Sequence, residues 1–232
     1  MSRKITLRVG SYNIKCGDSM TGFDMSLIAD DINSLSLDIV GLQEIDDKTE
    51  RSGGRDVLKL LAEAVGFKYY RFVKSIDYRG GGYGTGIISR YPIVDFNAEI
   101  LPHSESADWE ARAFGIVTVD VCGESIKLLN THFSLGDASA REAQFARISE
   151  AVRGKEPFII TGDFNTDDIE ELSSVPNTTL VNAGKYKTFF ETSIAIDEII
   201  LDAGWSIVES GMKDSGGHSD HNMLWAEVEY KK

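Results

Sequence analysis

Short strand-like runs are distributed along almost the whole chain, and they constrain its fold more than any other feature. Three further segments carry apolar residues at helical spacing, at 25–34, 56–65 and 138–153. The strand-like runs alternate apolar and polar residues or are continuously apolar, at 7–14, 38–42, 69–74, 85–89, 114–121, 125–131, 158–162, 196–201 and 223–228. So many short strands require at least two sheets, and the interspersed helices favour layered α+β packing.

The length and composition predict one domain that spans residues 1–232. The chain is 42% hydrophobic and 26% charged, which is typical of a soluble globular protein, and 232 residues is near the upper limit for one hydrophobic core. Residues 80–82 and 214–217 are glycine-rich, but long polar or proline-rich stretches do not flank them. We therefore interpret both segments as loops within that domain.

The charge and the apolar content narrow the possible partners. A net charge of −13 repels polyanions unless a local basic groove compensates, so tight nonspecific binding to a nucleic acid duplex is disfavoured. No apolar run approaches the roughly 20 residues that span a bilayer, and the first residues do not form a signal core. We expect a cytoplasmic monomer with two reduced cysteines, and a removed signal peptide stays an alternative.

Polar residues cluster at the ends of the strand-like runs, where the edge of a sheet can present them to a shared cleft. Five such groups supply carboxylates, amides and imidazoles: Tyr12-Asn13-Ile14, Gln43-Glu44, Asn130-Thr131-His132, Gly162-Asp163-Phe164-Asn165 and Ser219-Asp220-His221. Phosphoester hydrolysis needs an oxygen-liganded cation, a residue that orients water and donors to the phosphoryl oxygens. Because cysteine pairs and helically spaced histidines are lacking, these hard oxygen ligands favour Mg²⁺ or Mn²⁺ over zinc.

The ordered series YNI, QE, NTH, GDFN, IDEI and SDH resembles the endonuclease/exonuclease/phosphatase superfamily, the relatives of deoxyribonuclease I. Each motif alone is common, but the six in this order extend over nearly the whole chain. The resemblance implies a four-layer αββα sandwich in which two mainly antiparallel sheets pack face to face. Helices would cover the outer faces, and the active site would lie at one end.

The resemblance also implies the roles of individual residues. Glu44 would be the principal ligand of Mg²⁺ or Mn²⁺, with Asn13 and Asp220 close to the ion directly or through water. Asp163 and Asn165 would hold the attacking water.

The two histidines of the series would act on the phosphate. His221 would contact the scissile phosphate, and Asp197 would bind the other ring nitrogen and so fix the tautomer. His132 would stabilise a phosphate oxygen or assist the leaving group, and Arg112 would add a cationic donor. The alternative for Arg112 is that it faces water and has no role in the site, because an arginine that begins a strand often does so.

Three further positions have open roles. Lys15 occupies a position where some DNA-repair members carry Asp, so a metal contact is lost or shifted, and its charge could bind a second phosphate. Trp109 could contact the substrate or could be ordinary packing. His218 belongs to a glycine-rich loop and could line the cleft.

The sequence leaves three functional hypotheses. The first is a hydrolase of small or lipid-like phosphodiesters or phosphomonoesters. The second is a DNA or RNA endonuclease or exonuclease, which would need a basic ridge: Lys15, Arg51, Arg55, Arg79 and Arg112. The third is an inactive binding module, which is disfavoured because every expected catalytic group is present.

Overall fold

Two six-stranded β-sheets form the centre of the molecule. The structure is a computed structural model that describes residues 4–19, 22–103, 110–136, 138–154 and 156–231. The strands are β1 (Lys4–Asn13), β2 (Asp18–Ser19), β3 (Gly22–Phe23), β4 (Ile39–Asp47), β5 (Tyr69–Tyr78), β6 (Gly81–Ser89), β7 (Ile93–Ile100), β8 (Ala113–Val121), β9 (Glu124–His132), β10 (Phe158–Asp163), β11 (Thr178–Leu180), β12 (Asp197–Asp202), β13 (Trp205–Lys213) and β14 (Met223–Lys231). Sheet I has the order β13-β14-β1-β4-β6-β5, sheet II has the order β11-β12-β10-β9-β8-β7, and β2 pairs with β3.

The helices lie between the strands in sequence, and aspartates begin three of them. They are α1 (Met25–Asn33), α2 (Val57–Val65), α3 (Ala138–Ala151) and α4 (Ile169–Leu172), and a 3₁₀ turn spans Lys15–Gly17. The carboxylates of Asp24, Asp56 and Asp168 accept backbone N–H groups in the first turns of α1, α2 and α4. Helix α2 ends at Gly66, whose φ of 82° is a left-handed conformation that glycine adopts without strain.

Three apolar clusters separate the four layers. The central cluster lies between the sheets and includes Val9 and Ile39 from sheet I and Leu128 and Ile159 from sheet II. A second cluster packs α1 and α2 on the outer face of sheet I, and a third packs α3 on the outer face of sheet II. Because neighbouring strand residues point to opposite faces, strands buried on both faces read as continuous apolar runs.

Each sheet contains one parallel pair of strands near its middle. In sheet I, β1 runs parallel to β4, and in sheet II, β10 runs parallel to β9. The carboxyl ends of each parallel pair therefore lie side by side, at Asn13 and Gln43 in one sheet and at His132 and Asp163 in the other. The antiparallel strand β12 begins at the same edge, where Asp197 lies opposite Asp163. This topology brings distant motifs to one end of the sandwich.

A buried amide joins the two sheets directly beneath that end. The side-chain nitrogen of Asn130 in sheet II donates to the backbone oxygens of Leu42 and Gly86 in sheet I, each at 2.9 Å. Its oxygen accepts the amide of Gln43 at 2.7 Å. Gly41 allows this approach, because a Cβ there would lie 2.5 Å from the Asn130 side-chain oxygen. The polar bridge fixes the spacing between the sheets where the candidate site begins.

The predicted fold class is confirmed: two mainly antiparallel sheets face each other, and helices cover both outer faces. All of the predicted strand and helix segments are present. Gly81 and Gly82, which we expected in a loop, begin β6 instead, because a Cβ at Gly81 would lie 2.3 Å from the backbone oxygen of Asp47. In the part of the chain that the structure describes, no helix is both long enough and apolar enough to cross a membrane.

Candidate active site

Asn13 joins the two halves of the site. It is the last residue of β1 and is fully buried. Its side-chain nitrogen donates to Glu44 Oε1 in sheet I and to Asp163 Oδ2 in sheet II, each at 3.0 Å. Its oxygen accepts the backbone N–H of Lys15. One amide therefore places two carboxylates from different sheets at a fixed separation.

A β-bulge places Glu44 at the cleft. Leu42 pairs with Gly86 and Ile45 pairs with Gly84, so Gln43 and Glu44 together oppose the single residue Thr85. The extra residue takes a φ of 57° at Glu44, a left-handed conformation that costs a non-glycine residue free energy. Gln43 points into the buried inter-sheet network, and Glu44 is half-buried and lines the cleft.

His221 lies between two buried aspartates. Its Nδ1 is 2.8 Å from Asp197 Oδ2, which is the contact predicted from the sequence, and its Nε2 is 3.6 Å from Asp163 Oδ2. Burial lowers the pKa of His221, but the carboxylates of Asp197 and Asp163 raise it more, to about 10. The ring is therefore an imidazolium at neutral pH, which suits contact with an anionic phosphate.

His132 has the opposite protonation state. It ends β9 beside Asp163, with its Nε2 3.5 Å from Asp163 Oδ2. Burial and the nearby guanidinium of Arg112 hold the pKa of His132 well below its usual value. Arg112 is itself buried and binds Glu110, with 2.8 Å between Nη1 and Oε1. The site thus holds one neutral imidazole, one imidazolium and one guanidinium.

Asp163 and Asn165 are positioned by the turn that follows β10. Asp163 Oδ1 accepts the backbone N–H of Asn165 at 3.0 Å, and the Asn165 side-chain nitrogen donates to the backbone oxygen of Phe133 at 2.9 Å. Asn165 adopts a φ of 51° and lines the cleft. Burial and the charge of Asp197 raise the pKa of Asp163 to about 7, which suits proton transfer near neutral pH.

Lys15 forms an ion pair with Asp220. The distance from Lys15 Nζ to Asp220 Oδ2 is 3.0 Å, and this hydrogen bond raises the pKa of Lys15. Asp220 lies in the cleft next to His221, and the Lys15 side chain is 42% exposed. The lysine therefore brings positive charge directly to one of the predicted metal ligands.

The cleft has a volume of about 290 Å³ and collects most of the predicted site residues. Six further lining residues were not among the predicted site residues: Tyr83, Glu110, Leu135, Phe189, Ile194 and Ile196. Tyr83 lies between glycines in β6, and Phe189 lies outside every motif, so no local pattern marks either residue. Among the residues that line the cleft, seven were predicted: Glu44, Arg112, His132, Asp163, Asn165, Asp220 and His221.

Two open predictions have different outcomes. Trp109 lies outside the described residues. His218 does not line the cleft; its Nδ1 is 2.9 Å from Asp31 Oδ2, and Asp31 also accepts the hydroxyl of Tyr12. This buried carboxylate holds the loop before Asp220 against α1, which explains why His218 points away from the site.

Two positions in the site offer carboxylates that could bind a hard divalent cation. Asp163, Asp197 and His221 have ligand atoms within 4.8 Å of one another and could hold a metal ion, although His221 already supplies positive charge there. Glu44 offers a second position. Its Oε1 accepts the side-chain nitrogen of Asn13, and among the residues that the structure describes its Oε2 has only a weak thiol contact, with Cys16 Sγ at 3.9 Å. An incompletely satisfied carboxylate with amide and carboxylate neighbours suits Mg²⁺ or Mn²⁺.

Comparisons with solved structures agree with this fold. A structure titled endonuclease/exonuclease/phosphatase from Beutenbergia cavernae DSM 12333 has a TM-score of 0.82 at 20% identity, over 97% of this chain and 72% of that chain. The endonuclease/exonuclease/phosphatase from Bacteroides vulgatus has a TM-score of 0.80 at 20% identity, over 97% and 99% of the two chains. The mannosyl-6-phosphatase of Bacteroides thetaiotaomicron VPI-5482 has a TM-score of 0.72 at 20% identity, over 96% and 99%.

The sequence comparisons define the family. A search of curated protein sequences gives no match. Residues 10–221 match the model of the Endonuclease/Exonuclease/phosphatase family, which is most of the chain and includes every group of site residues described above. The chain therefore belongs to the endonuclease/exonuclease/phosphatase family, a superfamily of phosphoester hydrolases.

Proposed function

We propose that this protein is a Mg²⁺- or Mn²⁺-dependent hydrolase of small or lipid-like phosphoesters. The observation that carries the proposal is the double hydrogen bond of Asn13 to Glu44 and Asp163. It couples the carboxylate proposed to bind the cation to the carboxylate proposed to hold the attacking water. Phosphoester hydrolysis requires these two functions at a fixed separation.

The side chains supply the remaining steps. Glu44 and Asp220, together with Asn13, would hold the divalent cation, which would supply charge neutralisation and Lewis-acid polarisation of the phosphoryl group. Asp163 and Asn165 orient a water, and Asp163 accepts its proton as the water oxygen bonds to phosphorus. The bond from phosphorus to the alcohol oxygen then breaks, that oxygen takes up a proton from the solvent, and Asp163 returns its proton to the solvent.

The three cationic and imidazole groups act on the phosphate. The imidazolium of His221, held by Asp197, donates to a phosphoryl oxygen. His132, which is neutral, donates its ring N–H to a phosphoryl oxygen or to the leaving alcohol. Arg112 adds fixed positive charge at the same side of the cleft.

The pairing of the basic residues supports a small phosphoester over DNA or RNA. Three cations of the ridge that a nuclease would need are bound to carboxylates: Lys15 to Asp220, Arg51 to Asp46 and Arg112 to Glu110. With a net charge of −13, such neutralised cations attract a polyanion weakly. A steep salt dependence of substrate binding would favour the nuclease instead.

We further propose that the protein is a cytoplasmic monomer. Cys16 and Cys122 are both free thiols, one buried and one exposed, which suits a reducing compartment. Size-exclusion chromatography with light scattering tests the monomer, because a dimer would double the mass.

The decisive experiment is hydrolysis of bis-p-nitrophenyl phosphate and p-nitrophenyl phosphate with Mg²⁺, Mn²⁺ or EDTA. We expect turnover that EDTA abolishes and that Glu44→Ala and His221→Ala each remove. Glu63→Ala and His103→Ala are matched controls, because both residues are exposed and outside the cleft. The preferred substrate separates a diesterase from a monoesterase.

Lack of metal-dependent turnover on these compounds and on panels of nucleic acids and lipids would overturn the proposal. The binding-module hypothesis would then gain support. Under that hypothesis, Glu44→Ala should affect the binding of a partner no more than a control variant does.

A further inference from the structure

One wall of the cleft is apolar. Beside the charged strand ends, the cleft is lined by four residues that we call the apolar wall: Leu135, Phe189, Ile194 and Ile196. Ile196 begins the IDEI motif, but none of the four side chains was predicted to act in catalysis. Leu135 is 66% exposed.

The apolar wall begins directly at His221. A short hairpin carries two of its residues, with backbone hydrogen bonds from Phe189 N to Ile194 O at 3.1 Å and from Ile194 N to Phe189 O at 3.2 Å. The Phe189 ring lies 4.9 Å from the His221 ring, and the two residues also form a β-bridge. An apolar surface is therefore continuous with the residue proposed to contact the phosphate.

The second part of the apolar wall is Leu135, which lies in the segment after His132. Leu135 follows His132 by three residues, after the end of β9, and its side chain lines the same cleft. Single exposed apolar residues are common on protein surfaces, but here two separate segments, at 135 and at 189–196, converge on one concave site. Such convergence is typical of a ligand-binding surface.

The side chains of the wall offer no charge to a second anionic group. Leu135, Phe189, Ile194 and Ile196 are all uncharged, and the chain carries a net charge of −13. The uncharged part of a phosphoester is its alcohol group, which must lie next to the phosphate because the two are covalently joined. The apolar wall is adjacent to the proposed phosphate position.

We infer that the apolar wall binds the alcohol portion of the substrate, so that the preferred phosphoesters carry an apolar alcohol, aromatic or aliphatic. This inference rests on the proposed function, because it places the phosphate at His132 and His221. Leu135 and Ile194 are then specificity-determining residues, whereas the polar strand ends act on every phosphoester in the same way.

Binding of two phosphonates tests the inference without turnover. Phenylphosphonate and methylphosphonate share the charged group and differ only in apolar area. In isothermal titration calorimetry with Mg²⁺, we expect phenylphosphonate to bind about tenfold more tightly and with a more negative heat-capacity change. Leu135→Ser and Ile194→Ser should each reduce that ratio about threefold. Val94→Ser should leave it unchanged, because Val94 is 60% exposed and outside the cleft.

Kinetics provide a second readout. Benzyl phosphate and methyl phosphate, whose leaving alcohols have similar acidity, should differ in kcat/KM in the same direction, and Leu135→Ser should reduce that difference mainly through KM. Equal binding of the two phosphonates, or a ratio that both serine variants leave unchanged, would overturn the inference and leave the proposed function intact. Binding of neither phosphonate would overturn the phosphate position itself, and the inference with it.

Discussion

Two groups of carboxylates at the same end of the sandwich differ in how their charge is compensated. The buried group, Asp163 and Asp197 around His221, holds its own cation within hydrogen-bonding or near contact distance. The open group, Glu44 and Asp220, faces the cleft, and Lys15, a half-exposed side chain, pairs with Asp220. The buried group is fixed when the protein folds. The open group can exchange its cation with the solvent, so we expect the divalent ion there.

The largest expected effect is a loss of turnover when the charge of the open group is removed. Glu44→Gln removes the charge of the open group and keeps its shape, so turnover should fall by at least about 1000-fold, because cation stabilisation of the transition state is worth several kcal/mol. Steady-state assays of bis-p-nitrophenyl phosphate hydrolysis measure the loss. Circular dichroism should be unchanged, since Glu44 is half-buried and not part of the core. A variant with near wild-type activity would contradict our assignment of the ion.

The second prediction uses the stabilisation of the fold by Mg²⁺ to determine which of the two groups binds the ion. Saturating Mg²⁺, at about 100 times its dissociation constant, should stabilise the wild type by about 2.7 kcal/mol. Asp197→Asn should keep this stabilisation and Glu44→Gln should lose it, as measured by urea unfolding with and without Mg²⁺. The reverse pattern would place the ion in the buried group.

The third prediction concerns pH and tests the buried group. The pKa of His221 is raised from 6.5 to about 10, so its stabilising contribution is complete below pH 6.5 and is lost as the pH rises through about 10. Between those values, the free energy of unfolding in EDTA should fall by up to about 1.4 kcal/mol per pH unit. His221→Gln should flatten the decline between about pH 7.5 and pH 9.5. Asp163 acts in the same direction, but its window ends near its pKa of about 7.

The smallest expected effect concerns Lys15. Lys15→Met removes the cation that competes for Asp220, so Mn²⁺ should bind about fivefold more tightly, a modest change because the pair is partly exposed. Electron paramagnetic resonance of free Mn²⁺ measures the affinity. Lys59→Met is a matched control, because Lys59 pairs with Glu63 on the surface of α2. Unchanged or weaker binding would show that the ammonium and the ion do not compete.

Most of the fold could be predicted because its central strands are buried on both faces. Strands β1, β4, β9 and β10 are almost continuously buried toward their carboxyl ends, their apolar runs lie before the polar residues at those ends, and each was predicted. The short strands β2, β3 and β11 and the longer strands β7 and β13 were missed. Strands β7 and β13 lie at sheet edges, where one side meets solvent, so charged residues such as Asp95 and Glu209 interrupt the apolar pattern.

The candidate site was predicted where motifs end strands and was missed elsewhere. Parallel strands that end together place Asn13 beside Gln43 in one sheet and His132 beside Asp163 in the other, a relation that follows from topology. Phe189 enters the cleft through a loop contact with His221, and no local pattern encodes that contact. The roles of the site residues stay predictions until the variants are measured.

Because the amide of Asn130 joins the two sheets, the proposed activity should depend on how closely the sheets are packed. The site takes Asn13 and Glu44 from one sheet and Asp163 from the other, so a small separation of the two sheets disassembles it while each sheet keeps its own hydrogen-bonded strands. As denaturant is added, enzymatic inactivation should therefore precede the loss of secondary structure, and loosening Asn130 should widen the interval between the two events.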